Sequence, residues 1–190
     1  MAKLYVVFGL SGAGKDTVYE LLRDELGSEN CVNVKFSGLM KCTFEEWYGV
    51  PAGSFDDREF RERFVPGRNV TYLDVMVKAY HAWDEIDPAL TVRPTERLIR
   101  QHLESGVNVV VTDCRKHTEA ESLVAVGYEY GVEVVYVYGR VGEMRKSSDM
   151  LMEELRDRVV CVTDIQTHLE LVNTGDIRHL IKQMKTEGLI

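Results

Sequence analysis

The sequence predicts an α/β fold built around a parallel β-sheet. Apolar runs of strand length alternate with segments of helical periodicity from one end of the 190-residue chain to the other. A strand, a helix and a second strand in this order favour right-handed crossovers, and therefore parallel neighbours in one sheet. A glycine-rich loop lies directly between the first apolar run and the first helical pattern, which agrees with this arrangement.

Five runs are expected to form strands. The first, Leu4–Phe8, is rich in valine and aromatic residues, and Cys31–Phe36 is the second. Val107–Thr112 is largely apolar, which is typical of a strand that is buried on both faces of a sheet. Glu133–Tyr138 and Leu169–Asn173 are expected to be the fourth and fifth strands.

Three helices are expected around these strands. The first ends at Gly27, another lies between the third and fourth strands, and a terminal helix covers Asp176–Lys185. The helical spacing that predicts the first helix is that of Val18, Leu21, Leu22 and Leu26. The spacing that predicts the second is that of Ala120, Leu123, Val124 and Gly127.

Two segments interrupt the alternation. Residues 38–105 are mostly helical in pattern and rich in charge, so we expect a helical subdomain that lines a cleft beside the sheet. Residues 141–164 are expected to form a lid, although Val159–Val162 could equally be a sixth short strand. We therefore expect residues 1–190 to form one domain that includes this helical insertion and this lid. Within residues 38–105, one helix is predicted from the spacing of its apolar residues, which are Leu73, Met76, Val77 and Tyr80.

Composition argues against several classes of partner. The net charge of −8 repels nucleic acid, so no nucleic-acid partner is expected without a strong basic patch. No window approaches the run of about 18 apolar residues that a membrane span needs, so no membrane partner is expected. The four cysteines are scattered without a CxxC pair, which predicts reduced thiols in a cytoplasmic setting.

The segment Gly9–Thr17, Gly-Leu-Ser-Gly-Ala-Gly-Lys-Asp-Thr, has the pattern of a phosphate-binding loop. Backbone N–H groups and the N-terminus of the next helix would hold the phosphates of ATP, and Lys15 would reach the β- and γ-phosphates. A chance glycine-rich turn is the alternative, but strand, glycines, lysine and helix all occur in the required order. The residues expected to contact ATP here are Gly12, Ala13, Gly14, Lys15, Asp16 and Thr17.

The position after the lysine departs from the usual pattern. Asp16 stands where Ser or Thr is usual, which excludes direct ligation of Mg²⁺ by a hydroxyl of residue 16. We expect Asp16 to hold the water shell of the ion and Thr17 to contact an α-phosphate oxygen. Asp113 closes the third strand, where a carboxylate can orient Mg²⁺ directly or through water, and Arg115 would face the same crevice. The alternative is that Asp113 only caps a strand-to-helix turn.

With these motifs in place, the chain resembles the bacteriophage deoxynucleoside monophosphate kinases, within the nucleoside monophosphate kinase superfamily. The resemblance extends over nearly the whole chain. It departs from the family at Leu103–Gly106, where the family often has a Gly-Thr pair, and residues 53–87 match none of its motifs. The motifs that carry it are GKDT at 14–17, KFSGLMK at 35–41, ERLI at 96–99, VVVTDCR at 109–115 with Glu119 and Glu121 after it, and LELVN at 169–173.

The resemblance implies a three-layer P-loop fold with five parallel strands in the order 2-3-1-4-5, a helical region that binds a nucleoside monophosphate, and a lid. It implies transfer of the γ-phosphate of ATP to a (deoxy)nucleoside monophosphate, with Mg²⁺ as cofactor. The location would be the host cytoplasm if the gene is phage-encoded. The oligomeric state stays open, a homodimer included.

The resemblance also assigns roles to residues outside the loop. Arg140 would be a lid arginine over ATP, and Asn173 and Gly175 would approach the adenine. Catalytic roles fall on Lys15, Arg115 and Arg140. The residues assigned to the acceptor site are Ser37, Lys41, Arg97, Arg100, Asp113 and Arg115.

The arginines before the third strand allow two interpretations. Arg93, Arg97 and Arg100 lie on one helical face, and Leu98, Ile99 and Leu103 lie on the opposite face. The arginines would either form a comb for the acceptor phosphate, or belong to a solvated face on which Glu104 pairs with Arg100.

Two other functions stay open. One is a P-loop kinase for another small phosphorylated acceptor, such as phosphomevalonate. The other is a P-loop ATPase or nucleotide-dependent switch that acts on a macromolecule. A helical insertion together with a lid favours enclosure of a small acceptor.

Overall fold

The computed structural model describes residues 2–10, 12–138, 168–172 and 176–190. The chain divides into two compact units. Met1–Lys35 and Glu96–Ile190 form the first, which contains the β-sheet and is called the sheet unit below. Phe36–Thr95 form the second, called the helical unit.

The sheet has five strands, all parallel, in the order β2-β3-β1-β4-β5. This confirms both the predicted fold class and the predicted strand order. The strands are β1 Leu4–Gly9, β2 Cys31–Asn33, β3 Asn108–Val111, β4 Val132–Tyr138 and β5 His168–Val172.

The second strand is shorter than predicted, because it ends at Asn33 and not at Phe36. The backbone N–H of Val34 still donates to the Val110 carbonyl at 2.9 Å. The chain then turns at residues 36–37 into the next helix. Val34 and Phe36 are buried although they lie beyond the end of β2, and a sequence pattern cannot distinguish such burial from a longer strand.

Helices cover both faces of the sheet, which gives three layers. On one face, Tyr5 and Val7 of β1 pack in a core with α1, Lys15–Leu26, and α7, Ile177–Thr186. Successive strand residues point to opposite faces, so the fully buried Leu4, Val6 and Phe8 face the other side. There α6, His117–Tyr130, packs on β1. All four predicted core positions of α6, from Ala120 to Gly127, are buried as expected.

The helical unit contains α2, Gly38–Tyr48, then α3, Arg58–Arg61, and α4, Tyr72–Ile86; the boundary with the sheet unit falls within α5, Val92–Glu104. Its core is rich in aromatic rings. The Phe44 ring stacks on Trp83 with centroids 6.2 Å apart, and the buried Glu45 carboxylate accepts the Phe55 N–H at 3.0 Å. The core residues are Met40, Phe44, Phe55, Val65, Tyr72 and Met76.

The predicted apolar face of α4 is wrong in part. Met76 is buried, but Leu73 and Val77 are 38% and 47% exposed. The buried face is instead set by Tyr72 and Met76, four residues apart on the helix. Tyr72 stacks on Phe60 with centroids 4.7 Å apart, and burial of such a large ring decides which side of the helix faces the core.

No helix within the described ranges combines the length and the apolar character that a membrane crossing requires.

The end of β1 depends on the absence of a side chain at Gly9. Its φ is +147°, and a Cβ there would lie 2.4 Å from the carbonyl oxygen of Val137 in β4. That oxygen belongs to a paired strand and cannot move away cheaply. We expect Gly9→Ala to lower the free energy of unfolding by roughly 2–4 kcal/mol, measured by chemical denaturation. Gly38→Ala is the matched control, because its Cβ would meet nothing within 4 Å and we expect a change within about 0.5 kcal/mol. Equal stability of the two variants would contradict the close approach.

Candidate functional site

Two glycines with positive φ shape the loop between β1 and α1. Gly12 and Gly14 both have positive φ, +82° and +100°. Gly14 is the N-cap residue of α1 in the left-handed conformation, and no side chain caps the helix from that position. The turn is closed by the Ala13 N–H, which donates to the Leu10 carbonyl at 3.1 Å. The partial positive charge of a 12-residue helix is thus directed at the loop.

Lys15 begins α1 and folds back onto the loop. Its Nζ donates to the carbonyl oxygens of Gly9 at 2.9 Å and Leu10 at 2.7 Å. Burial is the main cause that lowers the pKa of Lys15, and the nearby charge of Arg115 adds to it; against the opposing charges of Asp16 and Asp113, the pKa is about 8. The groups whose charges act on Lys15 are therefore Arg115, Asp16, Asp113 and Lys35. The structure brings together the predicted loop residues and both predicted residues after β3.

Asp16 lies in the first turn of α1 and is bonded to the ends of two strands. Its Oδ1 accepts the Thr112 hydroxyl at 3.0 Å and pairs with Lys35 Nζ, also at 3.0 Å. The Thr112 hydroxyl in turn accepts from Asn33 Nδ2 at 3.4 Å. Partial burial acts to raise the pKa of Asp16, but Lys35, Thr112 and Lys15 together outweigh it and hold this pKa below its usual value. Asp16 is therefore a carboxylate at neutral pH.

The residues around the loop fit a Mg²⁺ ion that is coordinated mainly by water and phosphate oxygens. The Asp16 side chain is 67% exposed. Both of its contacts are to Oδ1, so Oδ2 has no hydrogen-bond partner among the described residues. Mg²⁺ prefers oxygen, keeps several waters, and is usually held by one or two carboxylates together with phosphates. Within the described ranges no group of three or more His, Cys, Asp or Glu side chains could hold a metal by itself.

A buried carboxylate fixes the loop after β3. Glu119 is 1% exposed, and its Oε2 accepts the backbone N–H of Arg115 at 2.6 Å and of Lys116 at 3.0 Å. Cys114 is buried in the same loop, and its burial, together with the charges of Glu119 and Asp113, raises the pKa of its thiol well above the usual value. Glu119 thus sets the course of the backbone that carries Arg115.

The two arginines of α5 that were predicted to bind the acceptor, Arg97 and Arg100, differ in environment. Arg97 is exposed, whereas Arg100 Nε bonds Glu96 at 2.9 Å and Arg100 Nη1 bonds Glu129 at 2.5 Å. The alternative pairing of Arg100 with Glu104 is wrong, and Glu104 instead accepts the Tyr130 hydroxyl at 3.2 Å. An acidic residue four positions before a basic one is the favoured order on a helix, which explains the choice of Glu96.

The apolar face predicted opposite these arginines is narrower than expected. Ile99 and Leu103 are buried, but Leu98 is 42% exposed. Leu98 is adjacent in sequence to the exposed Arg97, so the helix turns it only partly towards the core.

The remaining acceptor-site candidates lie in the helical unit. Ser37 is the N-cap residue of α2, and its side chain makes no capping hydrogen bond. Lys41 Nζ pairs with Asp56 at 2.6 Å, and the Lys41 side chain is only 13% exposed. The charge of Lys41 is thus balanced within its own unit. Arg93 likewise pairs with Asp87 at 2.9 Å.

Several predicted features lie outside the described residues. They are Arg140, Asn173 and Gly175, and the lid at residues 141–164 with its run Val159–Val162.

Four residues at the site had no predicted role. Glu119, Lys35, Asn33 and Thr112 each carried a signal in the sequence. Glu119 lies in the first turn of a helix after a polar loop, where acidic side chains often bond free N–H groups. Lys35 comes soon after a strand, and Asn33 and Thr112 are polar residues within or directly after apolar strand runs. A polar residue at the carboxyl end of a parallel strand is placed where ligands bind.

Comparison with solved structures finds similarities at low sequence identity, and a gluconokinase and a shikimate kinase are two of the matches. No family model matches the chain, and no curated protein sequence matches it. A gluconokinase from Sinorhizobium meliloti 1021 is 15% identical over 97% of this chain and 90% of its own, with a TM-score of 0.44. A shikimate kinase from Acinetobacter baumannii, in complex with shikimate, is 14% identical over 100% of this chain and 93% of its own, with a TM-score of 0.42.

The role of Glu119 can be tested without any ligand. Glu119→Leu leaves two backbone N–H groups without an acceptor, which should cost about 1–3 kcal/mol of stability and speed amide exchange at Arg115 and Lys116. Glu119→Gln keeps a carbonyl oxygen that can accept both bonds, so we expect exchange close to wild type. Glu121→Leu, at an exposed position of the same helix, is the control. Equal exchange in the Leu and Gln variants of Glu119 would contradict its role in the loop.

Proposed function

We propose that this protein is a P-loop kinase that transfers the γ-phosphate of ATP to a (deoxy)nucleoside 5′-monophosphate. The observation that carries the proposal is the loop after β1, where Lys15 lies within the electrostatic reach of Asp16, Asp113 and Arg115. Because β1 and β3 are parallel neighbours, the loop and the residues after β3 leave the sheet at the same edge. A phosphate loop, two carboxylates and an arginine are the groups that phosphoryl transfer requires.

In this proposal the backbone from Gly12 to Thr17 holds the phosphate chain of ATP. Lys15 exchanges its two carbonyl acceptors for phosphate oxygens, since a charged acceptor makes the stronger bond. The pKa of Lys15 then rises from about 8, because an anion stabilises the ammonium form. Arg140, Asn173 and Gly175 would complete the ATP site.

Asp16 and Asp113 would hold Mg²⁺, through water in the case of Asp16. Bound Mg²⁺ would neutralise negative charge on the phosphate oxygens. Asp16 suits this role because one of its oxygens has no hydrogen-bond partner among the described residues, while the other is fixed by Thr112 and Lys35.

The acceptor phosphate would be bound by Arg115, whose planar guanidinium can bond two phosphate oxygens at once. Its backbone is held by the buried Glu119. Arg97 is the better second candidate, because it is exposed whereas Arg100 is already bonded to two carboxylates. Ser37 and Lys41, the lid at residues 141–164 and the preference for deoxynucleotides are proposed on the family resemblance alone. A monophosphate is already ionised, so the reaction needs positioning and charge more than a base.

A panel of acceptors tests this function. Ribo- and deoxyribonucleoside monophosphates are offered with ATP and Mg²⁺, and ADP formation is measured against a no-acceptor control. We expect ADP only with a nucleotide acceptor. Lys15→Ala should lower kcat by at least about a hundredfold, because it removes a charge directed at the transferred group. Lys182→Ala, at an exposed position of α7, should leave kcat unchanged.

The alternatives give different results in the same assay. ATP hydrolysis that is equally fast without any acceptor would indicate a P-loop switch. ADP formation only with phosphomevalonate or a similar acceptor would indicate a different small-molecule kinase. If Lys15→Ala keeps more than about a tenth of wild-type kcat, the loop does not take part in the chemistry.

The pKa of Lys15 predicts how ATP binding depends on pH. Its value of about 8 in the free protein means that Lys15 loses its charge as the pH rises through 8. Since ATP binds the charged form, the dissociation constant of ATP should rise above pH 8, by up to about tenfold for each pH unit. Lys15→Met should bind ATP more weakly at pH 7 and lose this pH dependence. A wild-type profile that is flat between pH 7 and 9.5, in calorimetry or fluorescence titration, would contradict the prediction.

A further inference from the structure

The loop carries a carboxylate at the position where P-loop proteins commonly carry a metal-binding hydroxyl, and a hydroxyl directly after β3 is bonded to that carboxylate. The common arrangement has a Ser or Thr hydroxyl after the loop lysine and a carboxylate at the end of the neighbouring strand. Here the carboxylate of Asp16 follows the lysine, and the hydroxyl of Thr112 directly follows β3. The two groups are hydrogen-bonded to each other at 3.0 Å, and the carboxylate of Asp113 follows Thr112 directly in the sequence.

We propose that Asp16 is the carboxylate on which metal binding mainly depends, and that Thr112 is the positioning residue that orients it. This inference rests on the proposed binding of ATP with Mg²⁺. It deepens that proposal, because it separates Asp16 from Asp113 and gives Thr112 a role that is exerted through Asp16.

The direction of the hydrogen bonds supports a positioning role. A hydroxyl has one proton to donate, and Thr112 accepts from Asn33 Nδ2, so its own proton is committed to Asp16 Oδ1. Thr112 is buried, and little water competes for that bond. With Oδ1 held, Oδ2 stays open and the carboxylate has one preferred orientation.

The framework behind Asp16 is rigid. Asn33 is the last residue of β2, Lys35 follows it by two, and Thr112 follows the last residue of β3. These strands are paired with each other, so the three side chains that lead to Asp16 begin from fixed backbone positions. Groups that orient a metal ligand from behind commonly contribute as much as tenfold to a hundredfold in metal affinity.

The test measures how strongly the metal assists ATP binding. The dissociation constant of ATP is determined by calorimetry with EDTA and with Mg²⁺, and the ratio of the two values is the metal coupling. We expect Thr112→Val to reduce this coupling by about tenfold, with a smaller effect on ATP binding in EDTA. Thr112→Ser keeps the hydroxyl and should restore most of the coupling, which loss of packing alone would not explain. Unfolding by denaturant checks that each variant folds.

A double-mutant cycle shows whether Thr112 acts through Asp16. Asp16→Asn should reduce the metal coupling at least as much as Thr112→Val does. In the Asp16→Asn background, Thr112→Val should then change the coupling little, because the carboxylate that it orients is absent. Lys35 is left intact, since removing its charge would alter the local field as well as the orientation of Asp16.

The outcomes separate the inference from the proposed function. Normal ATP binding with a coupling within about twofold of wild type in Thr112→Val overturns the inference alone. The same holds if Asp16→Asn keeps the wild-type coupling, which would leave Asp113 as the main metal carboxylate. Failure of the wild-type protein to bind ATP at all overturns the proposed function, and the inference with it.

Discussion

The parallel pairing of β1 with β3 is the constraint on which the site depends. Its register sets Leu4 beside Val109 and Val6 beside Val111. Both strands therefore release the chain at the same edge, one into the glycine-rich loop and the other into the segment that begins with Thr112. A hydrogen bond can then join Asp16 to a residue 96 positions away in the sequence. Any slip of the register by one residue would turn the polar residues after β3 to the other face of the sheet.

The electrostatics of the site are local and mixed, not broadly basic. Lys15, Lys35 and Arg115 bring three positive charges near the loop, and Asp16 and Asp113 bring two negative ones. The chain as a whole carries a net charge of −8. An anion is thus favoured only within reach of the helix N-terminus and these few cations, because charges further than about 10 Å away are largely screened at ordinary salt. This balance suits one bound phosphate chain better than a long polyanion.

The sequence predicted the features that depend on local pattern. The parallel sheet and the helix that ends at Gly27 follow from periodicity and glycine placement, whereas the strand order came from the family resemblance, and the structure agrees with all three. The bonds of Thr112 and Glu119 could not be predicted in the same way, because they join groups whose distance depends on register and on the exact end of a strand. The prediction for the packing of α4 failed for a related reason. Either Leu73 or Tyr72 could face the core, and contacts with neighbouring aromatic rings decide in favour of Tyr72.

The burial of Cys114 has a practical consequence for chemical modification. Its thiol lies in the loop that carries Arg115, and its raised pKa keeps it protonated at neutral pH. Burial also raises the pKa of Cys31, to about 11. Since only the thiolate reacts readily with maleimides and oxidants, Cys42 is the reactive position among the three cysteines of the described residues, and it is exposed on α2. A fluorophore attached there would report on the helical unit, while the buried thiol of Cys114 in the loop after β3 stays unmodified.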